Sequence, residues 1–234
     1  MFLYRDAPEH TRMRKAVHHA FTRTAIEGWR RPIEQLVHDL LSPLDGQTDM
    51  DVLADLARPP PIAAIRLVLG IPADAAGRLQ VWSEDVSRFV GNFIHPPRLL
   101  ADIQRSILEF SDYLRELIDE KRRGPGGTPD LLTVLTHGPE PRLSDDEIIA
   151  NAILLVAAGH VTTTDLIGNG TLALLQTPEC AAALRARASE PAFVESAVEE
   201  ILRCESPVQM TTRVALVDVE VAGQRIRARE WLIL

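Results

Sequence analysis

From Ser144 up to Pro178 the chain contains no helix breaker except glycine, and the stretch opens as a helix opens. Ser144 can cap the first turn and Glu147 can close a capping box with it. Asp145 and Asp146 add negative charge at the positive end of the helix dipole. About thirty residues rising 1.5 Å each make a rod of roughly 45 Å, enough to cross a whole domain. Almost no charge falls in residues 150–161. A helix with no polar face is buried all round, so this rod is expected at the centre of the fold.

The flanking text supplies helices to cover it. Met13, Val17, Ala20 and Phe21 recur every three to four positions in residues 8–21. A second helix is expected after Pro32, with Ile33, Leu36, Val37, Leu40 and Leu41 on its apolar side. Pro59-Pro60-Pro61 reads as a break, followed by a short helix over residues 62–69 that Gly70 closes. Leu99, Ile103, Ile107, Phe110, Leu114 and Leu117 mark a long helix over residues 98–122, and residues 124–129 read as a surface loop. Shorter helices follow Pro178 and Pro191. Val217, Val219 and Val221 then alternate with Asp218 and Glu220, and Ala222-Gly223-Gln224 turns the chain before Ile226. This predicts a strand pair with one wet face. The last residues, Trp231-Leu232-Ile233-Leu234, read as an unpaired apolar strand, which suggests truncation. The expected fold class is mainly α with a small β portion at the C-terminal end, in one incomplete domain spanning residues 1–234.

Charge and cysteine content narrow the function. Lys and Arg number 25 against 33 Asp and Glu, for a net charge of −8, which argues against a nucleic-acid binder. Residues 1–31 run the other way, with seven basic and three acidic side chains, and read as a solvated helix face. Cys180 and Cys204 belong to no metal-ligand spacing, no residue is assigned as a metal ligand, and the pair fits a reducing, cytoplasmic setting. Both read as core thiols. The longest apolar run, residues 152–159, is short of the ~20 residues of a membrane span, so no membrane is expected.

Three segments carry chemistry. Mid-rod stands Ala158-Gly159-His160-Val161-Thr162-Thr163-Thr164. Threonines and glycine are poor choices inside a buried helix. A hydroxyl at Thr162 can bond back to the carbonyl of Ala158 and loosen the ladder, and Gly159 lets a ligand or water approach it. Glu200 and Arg203, three apart on a helix, form an ion pair that Val198, Ile201 and Leu202 should pull partly inward. In Pro8-Glu9-His10-Thr11-Arg12-Met13-Arg14, His10 and Arg14 share a helix face and can present two donors to a carboxylate. Arg213 can be a third.

In this order and spacing, the segments resemble the soluble bacterial cytochrome P-450 haem-thiolate monooxygenases. The resemblance extends through Asp6-Ala7-Pro8, Ala57-Arg58-Pro59, Leu69-Gly70-Ile71-Pro72 and Glu205-Ser206-Pro207-Val208-Gln209. It implies haem b, with its iron, as cofactor, a ferredoxin-type electron donor and a small apolar organic substrate that receives one oxygen atom from dioxygen. It implies that Ala158, Gly159 and Thr162 form the kink of the distal helix, with Thr162 hydrogen-bonding the oxygen. Glu200 and Arg203 become the structural pair bracing the proximal core. His10, Arg14 and Arg213 become the haem propionate anchors.

Two departures stand out. Val161 occupies the position where the family usually has an acid, so proton delivery would need His160, a water chain or another route. The family's iron ligand is a cysteine in a Gly-rich loop well downstream of the Glu-x-x-Arg helix, and neither Cys180 nor Cys204 has that context. The chain is therefore expected to be a piece lacking that loop and the family's N-terminal part, and inactive as it stands. The alternative is a remnant of the same fold without haem function.

Overall fold

The computed structural model describes residues 1–91, 96–124, 130–138, 140 and 142–234. The loop expected at residues 124–129 lies, after Gly124, outside the described residues. The chain divides into two compact units, Met1–Gly168 and Asn169–Leu234.

The first unit holds α1 (Glu9–His18), α2 (Arg23–Leu41), α3 (Pro59–Leu69), α4 (Ala76–Gly91), α5 (Pro97–Arg123), α6 (Leu131–His137) and most of α7 (Asp145–Gln176). The capping box of α7 forms: the Ser144 amide donates to Glu147 Oε2 at 2.9 Å, and the Glu147 amide donates to Ser144 Oγ at 3.3 Å. Ile148, Ala152 and Val156 of α7 belong to one buried cluster with Phe110, Leu114 and Ile118 of α5 and Leu79, Trp82 and Val86 of α4. Each of the larger aliphatic and phenyl side chains contributes roughly 1.5–3 kcal/mol by leaving water. The rod is not buried all round, however. Ala158 is exposed and Leu155 and Gly159 are half-buried, because no described residue covers that side.

Three expectations are corrected around the prolines and in α4. Helix α2 starts well before Pro32, where Thr22 Oγ1 accepts the Ala25 amide at 3.3 Å, and it runs through the proline. Pro32 removes one ladder bond, but the cap on one side and half-buried Ile33, Leu36 and Val37 on the other keep the helix continuous. Pro59-Pro60-Pro61 do not break a helix but open α3, occupying a first turn whose amides have no helical acceptor. A π-helical turn, Val52–Ala57, leads into it. Gly70 closes α3 in the left-handed conformation at φ 72°, as its position predicts. Helix α4 was not anticipated, because buried Ser83 and Asp85 interrupt its apolar stripe.

The second unit contains the end of α7, then α8 (Pro178–Ala186) and α9 (Pro191–Cys204), at the expected places. Ile201 of α9 lies so close to Gly170 that a Cβ there would stand 2.8 Å from its Cγ2. Four short strands follow. β1 (Thr212–Val214) pairs antiparallel with β4 (Trp231–Ile233), Arg213 opposite Leu232, so the terminal apolar run is paired after all. β2 (Val219–Val221) and β3 (Gln224–Ile226) form a hairpin whose loop residues Ala222 and Gly223 both have positive φ. Val219 and Val221 are exposed along with Glu220, so the hairpin is open on both faces and not on one.

Among the described residues, α7 alone is long and apolar enough to cross a membrane by length and composition, longer than the short apolar run suggested. Its most apolar window is 56% buried within the structure.

Candidate functional site

The turn singled out in α7 has the expected bond. Thr162 Oγ1 donates to the carbonyl of Ala158 at 2.5 Å, alongside the helix's own ladder. Asn151, Leu155, Ala158 and Thr162 recur at helical spacing and form one stripe. At its near end Asn151 Oδ1 accepts the Phe2 amide at 2.8 Å, and the Phe2 ring meets the His10 ring edge-on with centroids 6.0 Å apart. Ala158 follows Asn151 by seven residues, about 10 Å along the axis. The stripe thus runs from buried Asn151, linked through Phe2 to the His10 imidazole, to a loosened turn at exposed Ala158. Arg14 stands one turn beyond His10 on α1, exposed.

His160 is turned the other way. Two residues from both Ala158 and Thr162, it points about 200° around the helix from each. It is buried, with Nδ1 3.0 Å from Ser83 Oγ of α4. Burial pushes its pKa down, which favours the neutral imidazole. The route for protons through His160 is therefore not supported by its geometry. Val161 is half-buried and carries no exchangeable proton. Gly159 also differs from expectation: a Cβ there would meet Ile65 Cδ1 of α3 at 3.3 Å, so the missing side chain makes room for α3.

A cavity of about 240 Å³ lies in the same unit, walled by Phe89 and Val90 of α4, Ile107 of α5, and Ile149 and Ile153 of α7. Its polar edge is Arg115, which faces Asp146 at 3.6 Å and Asp112 at 2.9 Å. An apolar wall with its one guanidinium already paired suits an uncharged molecule.

In the second unit, Glu200 and Arg203 form the bidentate pair: Nε to Oε2 at 2.8 Å and Nη2 to Oε1 at 2.7 Å. Arg203 holds the Glu200 carboxyl down at about pKa 2. The pair is exposed and not drawn inward, because α9 buries no residue and Val198 itself is exposed. Cys180 and Cys204 are exposed for the same reason, contrary to their reading as core thiols: no residue of α8 is buried either. Arg213, on β1, is exposed and donates to Thr211 Oγ1 at 2.9 Å and to the Thr212 carbonyl at 2.8 Å.

These residues fit a flat, mostly apolar cofactor in part. The open Ala158 to Thr162 turn offers a small-residue surface with one hydroxyl, and His10 and Arg14 offer donors for acidic groups. No group of three or more His, Cys, Asp and Glu able to hold a metal occurs among the described residues. Cys180 stands on α8 and Cys204 ends α9, both outside any Gly-rich loop. Sequence reasoning missed Ser83 and Ser87, whose hydroxyls reach the Val156 and Ala157 carbonyls of α7. Two serines four apart within the apolar stripe of Leu79, Trp82 and Val86 were the available signal.

A family profile described as Cytochrome P450 matches residues 1–230. Cytochrome P450 CYP107DY1 of Priestia megaterium is 36% identical over 228 residues, covering 97% of this chain and 54% of that protein. Cytochrome P450 monooxygenase PikC of Streptomyces venezuelae is 35% identical over 237 residues, covering 98% and 53% respectively. The solved structure of P450BioI in complex with hexadec-9Z-enoic acid ligated acyl carrier protein matches with a TM-score of 0.91 at 34% identity, over the whole of this chain and 59% of that one. The chain spans a little over half the length of these relatives, whose family binds haem. With the long rod, the hydroxyl-loaded turn and the Glu-x-x-Arg helix in this order, the chain belongs to the cytochrome P450 family.

Proposed function

We propose that the protein carrying this chain is a haem-dependent monooxygenase that inserts one atom of dioxygen into a small apolar organic molecule. The observation that carries the reading is the Thr162 hydroxyl bonded to Ala158 on the one open side of a rod otherwise packed into the core. Haem, when bound, supplies the iron and the redox chemistry with dioxygen. The polypeptide supplies the rest. Thr162 presents a hydroxyl that can pass a proton from water, Ala158 keeps that surface shallow while Gly159 lets α3 pack close, and His10 and Arg14 would hold the propionates. Glu200 and Arg203 form the structural pair that would brace the haem-proximal core. Electrons come from a ferredoxin-type carrier that meets the exposed basic side of α1, in the cytoplasm.

We propose further that residues 1–234 alone are inactive, since neither cysteine stands in a Gly-rich loop that would hold the iron. Reduced, carbon monoxide-treated full-length protein should show the thiolate-type shift of the main absorbance band and oxidise an apolar substrate when given electrons. Residues 1–234 should bind haem weakly and show no such shift. A full-length protein that takes up no haem would leave the non-catalytic remnant as the reading, and a clear shift from residues 1–234 would refute their proposed inactivity.

A further inference from the structure

Three consecutive carbonyls of α7 each accept a side-chain hydroxyl. Ser83 Oγ donates to Val156 at 3.4 Å, Ser87 Oγ to Ala157 at 3.4 Å and Thr162 Oγ1 to Ala158 at 2.5 Å. In a continuous helix those carbonyls also accept the amides of His160, Val161 and Thr162. Each therefore has two donors competing for it. A single hydroxyl on a helical carbonyl slightly weakens the ladder and often bends the helix. Here the effect falls on neighbouring carbonyls about 100° apart, so the turn is loaded from more than one side.

We infer that Ser83 and Ser87 are positioning residues for the Ala158 to Thr162 turn: from α4 they share the carbonyls of Val156 and Ala157 with the amides of α7 and so hold that turn loosened. The arrangement around Ser83 is specific. When Ser83 gives its own hydrogen to Val156, its Oγ is left to accept from a protonated Nδ1 of His160, 3.0 Å away. In that arrangement the Nδ1-protonated tautomer of the imidazole and the direction of the hydroxyl go together. Ser83 is fully buried and Ser87 half-buried, so water does not substitute equally for both. Thr162 then acts on the third carbonyl of a turn that α4 has already prepared. The use made of the turn rests on the oxygenase reading, whereas the bonds themselves belong to the polypeptide.

Amide hydrogen exchange on the full-length protein, with and without haem, tests this by the sign of an effect. Packing alone predicts that cutting a serine from α4 loosens α7 and speeds exchange. Carbonyl sharing predicts the opposite. In Ser87→Ala the Val161 amide regains its acceptor undivided and should exchange several-fold more slowly, and in Ser83→Ala the His160 amide should do the same. Ser87→Thr keeps the donor and should exchange as the wild type does. Ser83→Ala also strands the His160 donor and can cost folding, so Ser87→Ala decides the matter alone. Unchanged or faster exchange at Val161 in that variant would overturn the inference. Slower exchange in a protein that shows no oxygenase activity would sink the functional reading and leave the inference standing.

Discussion

Arg12 of α1 and Glu147 of α7 form a charge pair that also closes the cap of the central rod. The Glu147 carboxylate accepts the guanidinium through both oxygens, one of them at 3.2 Å, while Oε2 also accepts the Ser144 amide at 2.9 Å. The Arg12 hydrogen bond is the main reason that the Glu147 carboxyl sits below its ordinary pKa, against the opposing effect of partial burial. A depressed carboxylate stabilises the fold above its unfolded pKa of about 4.3 and loses that contribution as pH falls through the folded value. Glu147→Gln should therefore be less stable than wild type at pH 7. The gap in denaturant midpoint should close as the pH drops through and below the usual carboxylate range. A gap that stays constant down to strong acid would mean that the charge of Glu147 is not what holds α1 to α7.

Because Arg12 is engaged, the exposed cations on α1 are Arg14 and Lys15. Opposite charge mainly speeds encounter. Lys15→Glu in the full-length protein should slow reduction by an acidic carrier, and the loss should shrink as salt rises through the range where the Debye length falls from about 10 to 3 Å. Stopped-flow reduction at two ionic strengths measures it. A loss independent of salt would remove Lys15 from the docking surface.

Gly70 and Gly28 should respond oppositely to alanine. Gly70 has φ 72°, where a side chain costs about 1–2 kcal/mol. Its Cβ would also lie 2.2 Å from Cγ of Asp130, whose carboxylate is held by Lys121 Nζ at 2.7 Å and by the Thr133 amide at 2.9 Å. Gly70→Ala should lose more than about 2 kcal/mol, since backbone strain and the clash add. Gly28, inside α2, has open space where a Cβ would go. Gly28→Ala should gain about 0.5–1 kcal/mol from helix propensity. Thermal melts of both variants check the pair, and a neutral Gly70→Ala would show that the α3 terminus yields easily.

The local chemistry of α7 was legible because it depends on residues three or four apart. Ser144 with Glu147 and Thr162 with Ala158 are such pairs, and both bonds exist. What depends on covering surfaces was not. Glu200 and Arg203 have the apolar neighbours of a half-buried pair, yet nothing in their own unit lies over them. Pro59 and Pro32 show a second limit: a proline's effect depends on whether it stands in a first turn or an interior one, and that requires knowing the cap. Residues 76–91 show a third. Ser83 and Asp85 sit on the buried side of α4, so a polar seam hid the helix from a reading based on apolar period.

The proton path through α7 gives the sharpest test of the functional reading. Thr162 presents its hydroxyl on the open side, Val161 offers no proton, and His160 is buried against Ser83 on the far side. If the Thr162 hydroxyl directs protons in the full-length enzyme, Thr162→Ala should still bind substrate and accept electrons. It should release more hydrogen peroxide and less product for each electron consumed. With no acid beside Thr162, the wild type should already leak, and Val161→Glu should raise product formed per electron. A well-placed general acid is typically worth 10²–10⁴-fold in rate, so even a poorly fitted carboxylate should give a measurable gain. Val161 is half-buried, so the added charge can also weaken the helix, and the melting temperature must be read on the same samples. Better coupling at a modest loss of stability supports the path. Unchanged coupling in Thr162→Ala, together with a Val161→Glu variant that is only less stable, would show that protons reach the site without this turn.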